Sequence, residues 1–294
     1  MEELAGKSAV VTGAGGGMGR SIALALADAG VNVAVVDIDE AAALSVSNEV
    51  AERGVKTFGI RTDVSNFDDV KKLADTAYNH FGSVEILVNN AGVTLRPFRA
   101  SWDTSYDDFR WMMDVNYYGV LHGHMAFVPR MRETPGEKHI VNTSSTASVI
   151  SIAGHSAYSA SKAAVDGLSN AVRDELKTQN IGLSILHPGA VRTRIATSER
   201  LRPEDEKSEN RGVKPWADYV QNVANPIVAG QTGPAEDPDV ATSATEYITP
   251  NDVGRLVVEG ILGNKPHILT HPAPLEALQE RFDTLLAGQP QPAK

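Results

Sequence analysis

Apolar residues fall along this chain in two alternating patterns. Short unbroken runs occur at Ser8–Val11, Val31–Val36, Lys56–Arg61, Val84–Val88, His139–Asn142 and Ile181–Leu186. Runs of that length predict strands buried on both faces. Between them, apolar residues recur every three or four positions over Arg20–Ala29, Asp39–Arg53, Ser65–Phe81, about Asp107–Arg130, and a stretch through Tyr158 to about Gln179. Those spacings predict amphipathic helices. Gly30 and Gly54 read as helix stops, and Ser65 as a helix cap with Asp68 three residues on. Thr249 followed by Pro250 predicts another helix start, running to Gly263, with Pro266–Thr270 as a last strand and Leu275–Ala287 as a last helix. Strands alternating with helices predict an α/β fold: βαβ units, right-handed crossovers and a parallel sheet covered on both faces. Ligand then binds at the carboxyl ends of the strands.

From Thr193 to about Tyr247 the alternation fails. Arg202–Lys207 reads as a charged, solvated run. Trp216, Tyr219, Val220, Val223 and Ile227 recur at helical spacing, and Gly233–Thr242 is a loop rich in Pro, Asp and Glu. A long insertion of this kind predicts a substrate lid over about 194–248, inside one domain spanning 1–294. The sequence shows no internal repeat.

Composition narrows the function. The 294 residues carry a net charge of -10 and no cysteine. The acidic balance argues against nucleic acid and anionic membrane as partners, since both reward clustered Lys and Arg. Lack of cysteine excludes disulfides and thiolate chemistry. No apolar run approaches the ~18 residues of a membrane span, and the N-terminus has no basic region followed by an apolar core. A cytoplasmic location is the expectation.

The first strand ends in Thr12-Gly13 and a glycine loop, Gly13-Ala14-Gly15-Gly16-Gly17-Met18-Gly19, before the first helix. Glycines there admit a pyrophosphate to the backbone, and the helix start offers free N–H groups. The second strand ends at Asp37, 18 residues beyond Gly19, near the place of a ribose-binding acid. The spacing is T-G-x-x-x-G-x-G rather than G-x-G-x-x-G.

Tyr158 and Lys162 stand four apart on a helix, so their side chains share one face. An ammonium at ~4 Å in an effective dielectric of ~20 is worth up to about 4 kcal/mol, which would bring the phenol from its usual pKa towards neutrality. Ser145 lies thirteen residues earlier, at a strand end, where a hydroxyl can hold a substrate oxygen. Taken alone, Tyr-x-x-x-Lys fits an exposed helix face better than a catalytic one. The pair gains weight because Gly13, Asp37, Asp63, Asn89, Ser145 and Pro188 all fall at strand ends that converge on one cleft. His122 and His124 point to different helix faces and read as surface or interface residues rather than a metal pair; no metal site is expected. His155 reads as a substrate contact or a plain loop residue, His187 as packing, and Arg96 and Arg99, on a loop near the cleft, as solvent-facing by default, with a carboxylate contact as the alternative.

With these residues laid out, the chain resembles the short-chain dehydrogenase/reductase family, in its compact single-domain form, closely over roughly residues 6–190. The motifs that carry the resemblance are TGAGGGMG at Thr12–Gly19, Asp63-Val64, NNAG at Asn89–Gly92, Asn116, Ser145, YSASK at Tyr158–Lys162, and Pro188-Gly189 with Thr193. The resemblance implies a Rossmann-type sheet of seven parallel strands in the order 3-2-1-4-5-6-7, and an enzyme that interconverts a secondary alcohol and a ketone. It implies Tyr158 as general acid/base, Lys162 lowering its pKa and binding the nicotinamide ribose, Ser145 holding the substrate oxygen, and Asn116 fixing a water in a proton relay. Gly13, Gly17, Met18, Gly19, Asp37, Asp63, Val64, Asn90, Gly92, Pro188, Gly189 and Thr193 would line the cofactor. Asp37, an acid where a 2′-phosphate would sit, implies NAD rather than NADP. A homodimer or homotetramer is implied as well.

Phe127–Met131 and Ile195–Pro203 are similar to bacterial members of the family that oxidise benzylic alcohols of lignin-type aryl ethers, which implies a bulky, partly aromatic substrate. Two other readings stand beside this one: an isomerase or lyase that uses bound NAD without net turnover, and a dinucleotide-sensing protein that has lost catalysis. The second would be expected to lack part of the set Asn116, Ser145, Tyr158 and Lys162, and all four are present.

Overall fold

Strand β1 (Ser8–Thr12) lies at the middle of a parallel sheet, paired on one side with β2 (Asn32–Asp37) and on the other with β4 (Ile86–Asn89). β3 (Thr57–Arg61) flanks β2; β5 (Lys138–Thr143), β6 (Ile181–His187) and β7 (His267–Leu269) continue beyond β4. The order is β3-β2-β1-β4-β5-β6-β7, as the resemblance implied. This computed structural model describes residues 1–96, 99–150, 152–204, 207, 248–273 and 275–290. Trp216, Tyr219, Val220, Val223, Ile227 and the 233–242 loop lie outside the described residues.

Alternate residues of each strand serve opposite faces. Ala9, Val11, Val33 and Val35 pack against Ile22 and Leu26 of α1 (Gly17–Asp28) and Val253, Val257 and Ile261 of α7 (Pro250–Leu262). Val10, Ala34 and Val36 face α3 (Phe67–Phe81), α5 (Gly119–Glu133) and α6 (Ser156–Leu176) through Leu73, Phe127, Met131 and Leu176. Each large apolar side chain buried in this way contributes about 1.5–3 kcal/mol. The remaining long helices are α2 (Glu40–Ala51), α4 (Tyr106–Met113) and α8 (Leu275–Ala287).

The helix starting at Thr249 begins as expected. Thr249 and Asp252 form a reciprocal capping box, with Pro250 in the first turn. The cap of α3 differs: Asn66, not Ser65, accepts from the Asp68 and Asp69 amides. The Ser65 hydroxyl is already spent on Asp63 Oδ1 at 2.6 Å. The long helix expected over Asp107–Arg130 is interrupted. α4 passes into a π-helical turn at Asp114–Tyr118 before α5 begins. Widened turns of that kind collect at functional sites, and Asn116 lies in this one.

A short 3₁₀ helix, Arg194–Leu201, follows β6, and a parallel bridge joins Val191 to Ile248. Arg202 is buried, 3% exposed, and so is Arg99; neither is the solvated arginine that the sequence suggests. α8 buries none of its residues and exposes Leu275, Phe282, Leu285 and Leu286, while Arg281 donates to the Val149 carbonyl at 2.8 Å.

Candidate active site

A cavity of about 760 Å³ opens at the carboxyl ends of the strands. Its floor is the glycine loop. Gly13 has φ +63° and Gly17 +53°, conformations that favour glycine. A Cβ on Gly19 would fall 2.1 Å from the Gly13 carbonyl oxygen, so the loop closes only because no side chain is there. Asn90 braces the loop from β4: its Nδ2 donates to the Thr12 carbonyl at 2.9 Å, and its amide donates to Thr12 Oγ1 at 3.0 Å. Asp37 accepts from the Gly15 and Asp39 amides at 2.8 and 3.0 Å, which fixes its carboxylate at the rim. Asp63, Val64, Gly92, Pro188, Gly189, Met18 and Thr193 also border the cavity.

The other end holds the hydroxyl cluster. β5 delivers Ser144 and Ser145 from its end, and α6 brings Tyr158 and Lys162 from its first turns. Lys162 Nζ donates to the Thr143 carbonyl at 2.8 Å and stands 5.7 Å from the centre of the Tyr158 ring. The ammonium lies close to Gly92, 3.4 Å from the point that a Cβ there would occupy. Ser145 Oγ accepts from the Ala147 amide at 3.1 Å and caps a short 3₁₀ turn, which aims the hydroxyl. Asn116 Nδ2 donates to the Val93 carbonyl at 3.0 Å and to Ser161 Oγ at 2.9 Å, and its Oδ1 accepts from the Val93 amide. Ser161 in turn donates to the Tyr158 carbonyl at 2.7 Å.

Burial dominates the electrostatics. It pulls the Lys162 ammonium down to about 8, with Asp166 opposing. It raises the Tyr158 phenol above its ordinary value, while a hydrogen bond with Ser145 and the charge of Arg96 act in the other direction. In the protein alone Tyr158 is therefore a neutral acid. The lowering by Lys162 that the four-residue spacing suggests is not what governs it: the ammonium is turned towards Thr143.

The chain matches the short chain dehydrogenase family over residues 7–204. It belongs to that family. A solved short chain dehydrogenase/reductase from Burkholderia phymatum, in complex with NAD, is 34% identical and superposes with a TM-score of 0.84 over 100% of this chain and 99% of the other. A 3beta-hydroxysteroid dehydrogenase from Eggerthella lenta is 35% identical over 68% of this chain and 77% of its own. The C alpha-dehydrogenase of a Sphingobium strain is 28% identical over 85% of this chain and 76% of its own.

Within this short-chain dehydrogenase, several polar side chains have partners that their sequence positions do not reveal. Both N–H groups of the Asn116 side chain are spent on Val93 and Ser161, so the side chain clamps the loop after β4 to the first turns of α6. His124 is buried rather than at a surface; its Nε2 lies 2.9 Å from Asn142 Nδ2, and burial pushes it down to about 4. His155 lies flat on Tyr158 and contacts Thr94 Oγ1 through Nε2 at 3.1 Å. His187 packs as expected, with Nε2 3.1 Å from His267 Nδ1.

Sequence reading passed over a buried charge cluster. Asp108 on α4 is wholly buried and pairs with both Arg99 and Arg202. The Arg202 guanidinium also stands over the Trp111 ring at 5.1 Å. Trp111, Val115, Ile195, Ser198 and Arg202 line the cavity. No short motif marks this cluster, because Arg99 and Arg202 meet Asp108 from 9 and 94 residues away.

Proposed function

We propose that this short-chain dehydrogenase uses NAD to interconvert a secondary alcohol and a ketone, acting on a bulky apolar or aromatic substrate. The observation that carries the reading is the single cavity in which Ser145, Tyr158 and Lys162 face a glycine loop and Asp37. The residues fit a dinucleotide: the first turn of α1 has no acidic side chain and no side-chain cap, which leaves its N–H groups for phosphate. Asp37 stands where its carboxylate would accept hydrogen bonds from the adenosine ribose, and Lys162, against Gly92, where the other ribose would lie. Bound there, the nicotinamide supplies the hydride acceptor and donor.

The chain's own residues do the rest. Ser145 orients the substrate oxygen. Tyr158 gives that oxygen a proton in ketone reduction and takes one in alcohol oxidation, as a positioned general acid/base. Lys162, protonated at neutral pH, holds positive charge beside the phenol. Asn116 keeps the loop after β4 and the Tyr158 turn in register, so any relay water would be held by something other than its N–H groups.

Trp111, Val93, Val115 and Ile195 give the cavity apolar walls, which suits an aryl or alicyclic alcohol. The 194–248 segment acts as a lid, a reading supported by Ile195 and Ser198 in the cavity wall and by the Val191–Ile248 bridge at its base. The apolar side chains that α8 leaves exposed support a homo-oligomer. No described helix is long and apolar enough to cross a membrane, and a cytoplasmic enzyme is part of the proposal. The test is NADH absorbance during incubation of the protein and NAD with benzylic, alicyclic and steroid alcohols. Growth of NADH with at least one class supports the reading; product formed without any change in NADH points to an isomerase or lyase.

A further inference from the structure

The segment after β6 reaches back over the glycine loop. Thr193 Cγ2 lies 3.1 Å from the point that a Cβ on Gly17 would occupy, and Arg194 Nη2 lies 3.2 Å from the same point on Gly16. Arg194 is exposed and lines the cavity, and its guanidinium has no ion pair among the described residues. Two other arginines nearby are committed. Arg20, in the early turns of α1, is paired with Glu49. Arg200 donates through Nη1 to the Arg194 and Thr197 carbonyls, which ties it to its own short helix.

A helix start carries only about half a positive charge, less than a pyrophosphate brings. Asp37 and Asp39 stand at the rim and add negative charge near it. A guanidinium presents planar paired donors suited to phosphate oxygens, and Arg194 holds one directly above Gly16.

We propose that Arg194 closes over the pyrophosphate of the bound cofactor from the side opposite the glycine loop. This deepens the NAD reading and rests on it. The contact has a second consequence. Arg194 opens the 3₁₀ helix from which Ile195 and Ser198 reach the substrate end of the cavity. Cofactor binding thereby fixes the wall against which the substrate packs.

The test is direct binding, with no turnover. Wild type, Arg194→Ala and Arg194→Lys are titrated with NADH, ADP-ribose and adenosine by calorimetry. Arg194→Ala is expected to weaken NADH and ADP-ribose by at least about fivefold and to leave adenosine unchanged, because adenosine has no pyrophosphate. Arg194→Lys is expected to recover part of the loss by keeping the charge without the fork. A loss below about fivefold for the two pyrophosphate ligands, or an equal loss for adenosine, overturns the proposal. Wild type that binds neither NADH nor ADP-ribose overturns the NAD reading itself, so the two failures are told apart by the unmodified protein.

Discussion

The imidazole of His155 lies flat against the phenol ring of Tyr158, with ring centres 4.5 Å apart and planes 13° from parallel. Burial pushes His155 down to about 3, so the ring is neutral at any working pH. A neutral aromatic plate on one face of Tyr158, with the Lys162 ammonium 5.7 Å from its centre, sets where the hydroxyl can point. An aromatic pair of this kind is worth about 0.5–1.5 kcal/mol. His155→Ala is expected to lower kcat by up to about tenfold with NADH affinity unchanged, and His155→Phe to restore most of it. Steady-state kinetics and NADH titration check this; an Ala variant as active as wild type removes His155 from the positioning of Tyr158.

Asp37 predicts cofactor choice. Its carboxylate is fixed by the Gly15 and Asp39 amides, so it cannot swing away from a 2′-phosphate without losing both bonds. NAD should exceed NADP in kcat/KM by at least about tenfold, or about 1.4 kcal/mol. Asp37→Ala should narrow that ratio. Equal use of both cofactors by wild type contradicts the role given to Asp37.

Asp108 predicts a large stability loss. It neutralises Arg99 and Arg202 where all three side chains are at most 2% exposed. Asp108→Asn leaves two buried guanidinium groups without a counter-charge, and breaking a buried pair in this way costs about 3–5 kcal/mol. Urea unfolding followed by circular dichroism measures it. A loss under about 1 kcal/mol would place the cluster with the surface pairs that contribute little.

Stability should fall with acidity from a defined starting point. Burial holds His124 at about 4 in the folded protein, against about 6.5 in an unfolded chain. The unfolded state therefore binds the proton first. Stability is complete above about pH 6.5 and is lost as pH falls towards 4, by about 3 kcal/mol from this residue. Asn89, Asn142 and Ser169 make up the network around it, all uncharged. His124→Gln is expected to flatten the dependence in urea unfolding between pH 7 and about 4.5; an unchanged slope means that another group titrates there.

The middle of the sheet was legible because its strands are buried on both faces and so read as unbroken apolar runs; Val33–Val36 and Ile86–Val88 are examples. The glycine loop and the Thr249 start were legible because their chemistry is local. What escaped depends on partners distant in sequence. Ser65 loses its capping role to a bond with Asp63, which gives the cap to Asn66. The π turn at Asn116 goes with a side chain pinned to Val93, 23 residues earlier. Arg99 and Arg202 look solvated until Asp108 is seen between them. The spacing of Tyr158 and Lys162 showed that they share a face, but not that burial outweighs their attraction.

The account turns on Tyr158 as the group that exchanges a proton with the substrate oxygen. The most direct measurement is a pH–rate profile of wild type and Tyr158→Phe, with an alcohol that wild type oxidises, alongside NADH titration of both. Because burial raises the Tyr158 pKa, wild-type oxidation should still be climbing with pH above neutrality. Tyr158→Phe should bind NADH as wild type does and lose at least about a hundredfold in kcat at every pH, the low end for a general base. Oxidation by Tyr158→Phe at the wild-type rate would contradict the account.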